Sequence, residues 1–124
     1  MTRSILVVIP TLNEARTIDG VLEALQQDLP VGVRTTFVVA DGGSTDGTPD
    51  RVTRHEGVQF LRNPKRLQSA AVNLAAATCG RDADVLVRCD AQADGRDSDV
   101  HAAMRAATAA MPASAPTISA TFFV

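Results

Sequence analysis

The chain has 124 residues, 45% of them hydrophobic and 21% charged, with a formal net charge of -2. That is enough for one domain with its own core, and too apolar for disorder over most of the length. The near-neutral balance argues against a nucleic-acid groove or a general anionic-membrane surface, and two cysteines with nine residues between them, Cys79 and Cys89, exclude a zinc ribbon or a C-x-x-C redox site.

In chain order, Ser4 to Ile9 reads S-I-L-V-V-I, a continuous apolar run stopped by Pro10, which predicts a strand buried on both faces. The run is too short for a signal peptide or a membrane span, so the protein is read as cytoplasmic, and the cysteines as plain buried thiols of a reducing compartment. Thr11 to Arg16 is a polar loop. From Thr17 the apolar residues Ile18, Val21, Leu22 and Leu25 recur at helical spacing and predict an amphipathic helix ending before Pro30. Thr36 to Ala40 is a second buried strand.

Thr48-Pro49 predicts a helix start, with the threonine hydroxyl as cap and proline in the first turn. That helix runs to about His55 and Gly57 breaks it. Val58 to Leu61 is a third strand, Arg62 to Arg66 a basic loop, and Leu67 to Thr78 an alanine-rich helix closed by Gly80. Val85 to Cys89 is a fourth strand ending at Asp90. The alternation predicts an α/β fold with a parallel sheet, right-handed crossovers and flanking helices. Beyond Asp90 come a polar stretch to Asp99, a helix-prone segment Val100 to Met111, a linker-like P-A-S-A-P, and an apolar run from Ile118 in which the sequence stops. It reads as a chain cut short.

Three strand ends carry polar groups: Asn13 and Glu14 after the first, Asp41 with Ser44 and Asp46 after the second, and Asp90 after the fourth. In a parallel sheet these ends share one rim, where open α/β sheets bind ligands. The stretch V-A-D-G-G-S-T-D-G-T, Val39 to Thr48, places two adjacent glycines beside Asp41, so backbone and carboxylate can approach a ligand closely. It is neither G-x-x-x-x-G-K-[ST] nor G-x-G-x-x-G, which excludes a P-loop and disfavours a dinucleotide fold. Aromatic content is 3%, all phenylalanine, so recognition must rest on hydrogen bonds and aliphatic contacts. His55 and His101 have no partners at ligand spacing and read as surface residues.

Four pieces, V-V-I-P-T-L-N-E, V-A-D-G-G-S-T-D-G-T, R-N-P-K-R-L-Q-S-A-A-V-N and V-L-V-R-C-D-A-Q-A, occur in order between Ile5 and about Gln92. At these residues the chain resembles the family 2 glycosyltransferases of the GT-A fold, and the last two pieces look most like the exopolysaccharide branch with the succinoglycan-type transferases. The resemblance implies a GT-A-like, Rossmann-type parallel sheet, truncated after the D-x-D region. Residues 1–95 would form a nucleotide-sugar-binding half-domain and residues 96–124 an atypical Ala/Pro-rich tail of a helix plus a short strand.

The resemblance also implies roles. Pro10, Thr11 and Glu14 would line the nucleoside pocket, and Asp41 would accept a hydrogen bond from the base, typically the imide N–H of uracil. Where this chain has Gly42 the family often has a second acid. Ser44 and Asp46 would brace the turn and start the following helix. Arg62, Lys65 and Arg66 form a basic loop suited to phosphate, with Arg66 the residue expected on the donor. Asp90 would be the first acid of the D-x-D element and hold Mg²⁺ or Mn²⁺ against the diphosphate, with Gln92 at the second position and Asp94 as an alternative oxygen donor.

No E-D pair follows Asp94, so the general base expected of an inverting transferase is not seen. On the resemblance, the first reading is a glycosyltransferase of polysaccharide biosynthesis. It would move a sugar from a nucleotide-diphosphate donor, a UDP-sugar, to a glycan or lipid-linked acceptor, at the inner face of the membrane. The alternative is a truncated nucleotide-sugar-binding remnant without turnover. A receiver-like module is a third reading, but it wants an acidic pair near the first strand and a lysine at the end of the last. Nucleic acid is not an expected partner. A homodimer is, through the sheet edge that a missing half would expose.

Overall fold

The computed structural model describes residues 3–27, 29, 32–65, 68–79, 83 and 85–89. Seven elements follow one another: β1 (Arg3–Thr11), α1 (Ile18–Leu25), β2 (Val33–Asp41), α2 (Thr48–Thr53), β3 (Val58–Arg62), α3 (Gln68–Cys79) and β4 (Val85–Arg88). The strands form one sheet in the order β3-β2-β1-β4, and every pairing is parallel. The α/β architecture expected from the alternation is thus present. Its sequence lies in the buried centre: β1 and β2 carry I-L-V-V-I and F-V-V-A, runs without alternation, because each face of a parallel sheet is covered.

The pleat divides those runs between two cores. Ile5, Val7, Ile9, Phe37, Val39 and Val87 point to one face, where they meet Ile18, Val21, Leu22 and Leu25 of α1 and Val52 of α2. Leu6, Val8, Val38 and Leu86 point to the other face, against Ala75 of α3. Ala71 and Ala75 are fully buried, so this part of the stripe from Ala70 to Ala77 serves close helix-to-sheet packing as expected, while Ala77 is exposed. Cys89 is a buried free thiol.

Several boundaries differ from the sequence reading. β1 runs through Pro10 to Thr11 instead of stopping at Ile9. The reason lies in the ladder. Val8 C=O accepts from Cys89 N–H on the β4 side, and Thr11 C=O accepts from Gly42 N–H on the β2 side. Alternation then puts the nitrogen of Pro10 on the β4 side, past the last β1–β4 pair, Val8 with Arg88, so no ladder bond is lost. β2 begins three residues earlier than expected, at Val33, and ends on Asp41 itself. α2 ends at Thr53, and its cap is Gly47 at φ 95, not Thr48. The Thr48 hydroxyl instead donates to Asp46 Oδ1 at 2.6 Å, and Asp46 also accepts the Thr48 N–H. His55 is not a partnerless surface residue: its ring Nε2 lies 2.8 Å from Asp19 Oδ1, and its side chain is 14% exposed. With Arg51 on the same carboxylate, this pair ties α1 to α2. The His55 bond, ahead of Arg51, holds the Asp19 carboxyl below its ordinary value. Gly80, His101 and the tail 96–124 lie outside the described residues.

One polar atom sits badly. The Thr35 hydroxyl, on the β2 face between Val33 and Phe37, is buried without a hydrogen-bond partner. Thr35→Val keeps the shape and removes the unpaired group, so it is expected to raise stability by about 1 kcal/mol in urea unfolding.

Candidate functional site

The C-terminal ends of β1, β2 and β3 lie in register: Thr11 beside Asp41, and Asp41 beside Arg62. Asp41 is 3% exposed and Thr11 5%. The Asp41 carboxylate accepts four hydrogen bonds. Thr11 Oγ1 and Ser44 Oγ donate to Oδ1 at 2.7 and 2.5 Å, and the Gly43 and Ser44 amides donate to Oδ2 at 3.0 and 2.8 Å. A carboxylate offers about four acceptor sites, so this one is filled. Burial pushes the Asp41 carboxyl up. The bonds from Ser44, Thr11 and Gly43 together outweigh it, and the group stays below its ordinary value of 3.8. Gly43 can turn back toward the carboxylate because its φ is 103, which L side chains rarely adopt.

A second set of bonds fastens the loop after β1 to this turn. Asn13 N–H donates to Ser44 Oγ at 2.8 Å, while Thr45 N–H donates to Asn13 Oδ1 at 2.8 Å. Glu14 N–H reaches Thr48 Oγ1 and Ala15 N–H reaches Asp46 Oδ2. Asn13 adopts φ 55, a left-handed conformation that asparagine tolerates better than most residues. The hydroxyl bond from Thr48, with the backbone donors around it, holds Asp46 below its ordinary value although the residue is exposed. Ser44 and Asp46 therefore brace the turn as expected, and they also bolt it to the neighbouring loop.

In front of this scaffold lies a cleft of about 210 Å³ lined by Asp41, Gly42, Gly43, Arg62, Asn63 and Pro64. Two of these lining residues are joined by a 2.7 Å bond from Asn63 N–H to the Asp41 carbonyl. Of the residues expected to bind nucleotide, Asp41 lines this cleft. Thr11 stands behind it as a support. Pro10 and Glu14 share the rim but not the cleft wall, and the Glu14 carbonyl accepts the first amides of α1, Thr17 and Ile18. Arg66, Asp90, Gln92 and Asp94 lie outside the described residues. Among the described residues, no group of three His, Cys, Asp or Glu side chains is placed to hold a metal ion.

The sequence reading passed over Asn63, which is 4% exposed. The Asn63-Pro64 pair directly after an apolar strand was the available signal, since such a pair favours turn initiation. Among the described residues no helix is long and apolar enough to cross a membrane.

The sequence model of the family described as Glycosyl transferase family 2 matches residues 6–95. The chain is also similar to the succinoglycan biosynthesis protein ExoA of Rhizobium meliloti (strain 1021), at 50% identity over 93 residues. That alignment covers 71% of this chain and 28% of the relative, so the chain spans well under half of that protein's length. No solved structure matches the chain.

Proposed function

Because the chain belongs to glycosyl transferase family 2, we propose that it binds the nucleotide-sugar donor, a UDP-sugar, of a transferase that builds a polysaccharide on a glycan or lipid-linked acceptor. The observation that carries this reading is the cleft at the ends of β2 and β3, walled by a buried, ionised Asp41 and by the backbone of Gly42 and Gly43. A neutral heterocycle with an N–H on its edge suits such a wall.

Asp41 is kept as the acceptor of that N–H. Two of its four donors are hydroxyls, on Thr11 and Ser44. A hydroxyl hydrogen turns about its C–O bond and its side chain about χ1, so an arriving base N–H competes with one of them for the carboxylate. Arg66 then faces the diphosphate. Asp90 with Gln92 are the proposed holders of Mg²⁺ or Mn²⁺, whose positive charge, when bound, offsets the charge on the departing nucleoside diphosphate. An acceptor hydroxyl forms the new bond to the anomeric carbon and gives its proton to a base, the bond from that carbon to the phosphate oxygen breaks with its electrons leaving on the nucleoside diphosphate, and configuration inverts. By the same reading the protein works in the cytoplasm.

Calorimetric titration with UDP, with and without Mn²⁺, tests the binding, and UDP released from a UDP-sugar in the presence of candidate acceptors tests transfer. Saturable UDP binding is expected. No heat under either condition removes the assignment.

A further inference from the structure

Arg62 ends edge strand β3, and its side chain is exposed and lines the cleft. It is the Cα partner of Asp41 across β2 and β3, one strand spacing away, about 4.8 Å. The nearest anion is thus beside it, yet the two form no ion pair. Asp19, by contrast, pairs with both Arg51 and His55. The turn supplies the Asp41 carboxylate with donors of its own, from Thr11, Gly43 and Ser44. A guanidinium with five donors is left facing the cleft.

Two ligand chemistries suit an arginine there, a phosphate and a carbonyl oxygen. The cleft decides between them. Its other wall is an ionised carboxylate, which repels a phosphate and tolerates a neutral ring. The sheet order adds to this. β3 and β4 are three spacings apart, about 14 Å, so a group bound near the end of β4 is remote from Arg62.

We propose that Arg62 reads the base of the nucleotide: its guanidinium donates to a ring carbonyl while the neighbouring Asp41 accepts the adjacent ring N–H. An acceptor and a donor side by side complement an imide edge, in which an N–H is flanked by C=O groups. This rests on the nucleotide-binding reading above and reassigns Arg62 from the phosphate-facing basic loop to a specificity residue.

The test is a ladder of ligands, uridine, UMP and UDP, titrated into the whole chain and into Arg62→Gln and Arg62→Lys. A charge-assisted hydrogen bond sets the expected loss in Arg62→Gln at roughly tenfold or more in Kd. The factor is expected to be the same for all three ligands, with Arg62→Lys intermediate and the melting temperature unchanged. A loss that appears with UDP but not with uridine assigns Arg62 to the phosphates and overturns the proposal. Unchanged affinity for every ligand makes Arg62 an ordinary edge-strand charge and overturns it too. If the wild-type chain binds none of the three, the nucleotide-binding reading falls and this inference with it.

Discussion

Asp41→Ala is expected to destabilise the fold by about 3 kcal/mol or more, and to weaken UDP binding by at least about tenfold in the fraction that remains folded. The stability loss comes first. The substitution leaves the Gly43 and Ser44 amides without their acceptor, and takes the shared partner from the Thr11 and Ser44 hydroxyls. Ser44 Oγ also receives the Asn13 amide, so the damage passes to the loop after β1. Chemical denaturation measures the first effect and UDP titration the second. A variant as stable as wild type contradicts the view of the carboxylate as the hub of the turn.

The sign of the pH dependence gives a further check on the same residue. The folded Asp41 carboxyl is held below its ordinary 3.8, so the folded state releases its proton more readily than the unfolded chain. The stabilisation is therefore complete above the unfolded value and is lost as pH falls through the folded one. The stability gap between wild type and Asp41→Ala is expected to be flat above about pH 5 and to close as acid is added below the ordinary value.

Leu22→Ala is expected to cost about 2–5 kcal/mol, a large share of the roughly 5–15 kcal/mol that holds a small domain folded. Leu22 is fully buried in α1, and it packs in the core that joins α1 and α2 to β1 and β2. Removing three carbons there opens a cavity that the flanking strands are too constrained to fill. Urea unfolding measures the loss. UDP affinity at low urea is expected to stay near that of wild type, because Leu22 is in the apolar core and touches no cleft wall. A fall in affinity matching that of Asp41→Ala shows that the two regions do not act separately.

Much of this architecture was legible in the residues. The uninterrupted apolar runs of β1 and β2 could only be central parallel strands, and the spacing of Ile18, Val21, Leu22 and Leu25 could only cover one sheet face. Asp41 stood out because an acid followed by two glycines at a strand end has little to do in a core. What remained hidden was the company each side chain keeps. Nothing in the order of residues shows that Asn13 lies over Ser44 and Thr45, 31 and 32 positions on, or that Thr11 reaches Asp41 across 30. Such bonds are made by strand register, which periodicity leaves undetermined. Thr48 misled for a similar reason. Its type suits a cap, but Asp46 is placed to take both of its hydrogens.

Pro10 has a consequence for how the sheet opens. On the flank toward β4 it presents no amide hydrogen, so within β1 the last backbone donor on that side belongs to Val8. The sheet order changes direction at this seam, β2 and β3 lying on one side of β1 and β4 on the other. A proline there works like a stop on a zip: β1 runs out of donors on that flank at the end of the sheet where folds of this kind take up a guest molecule.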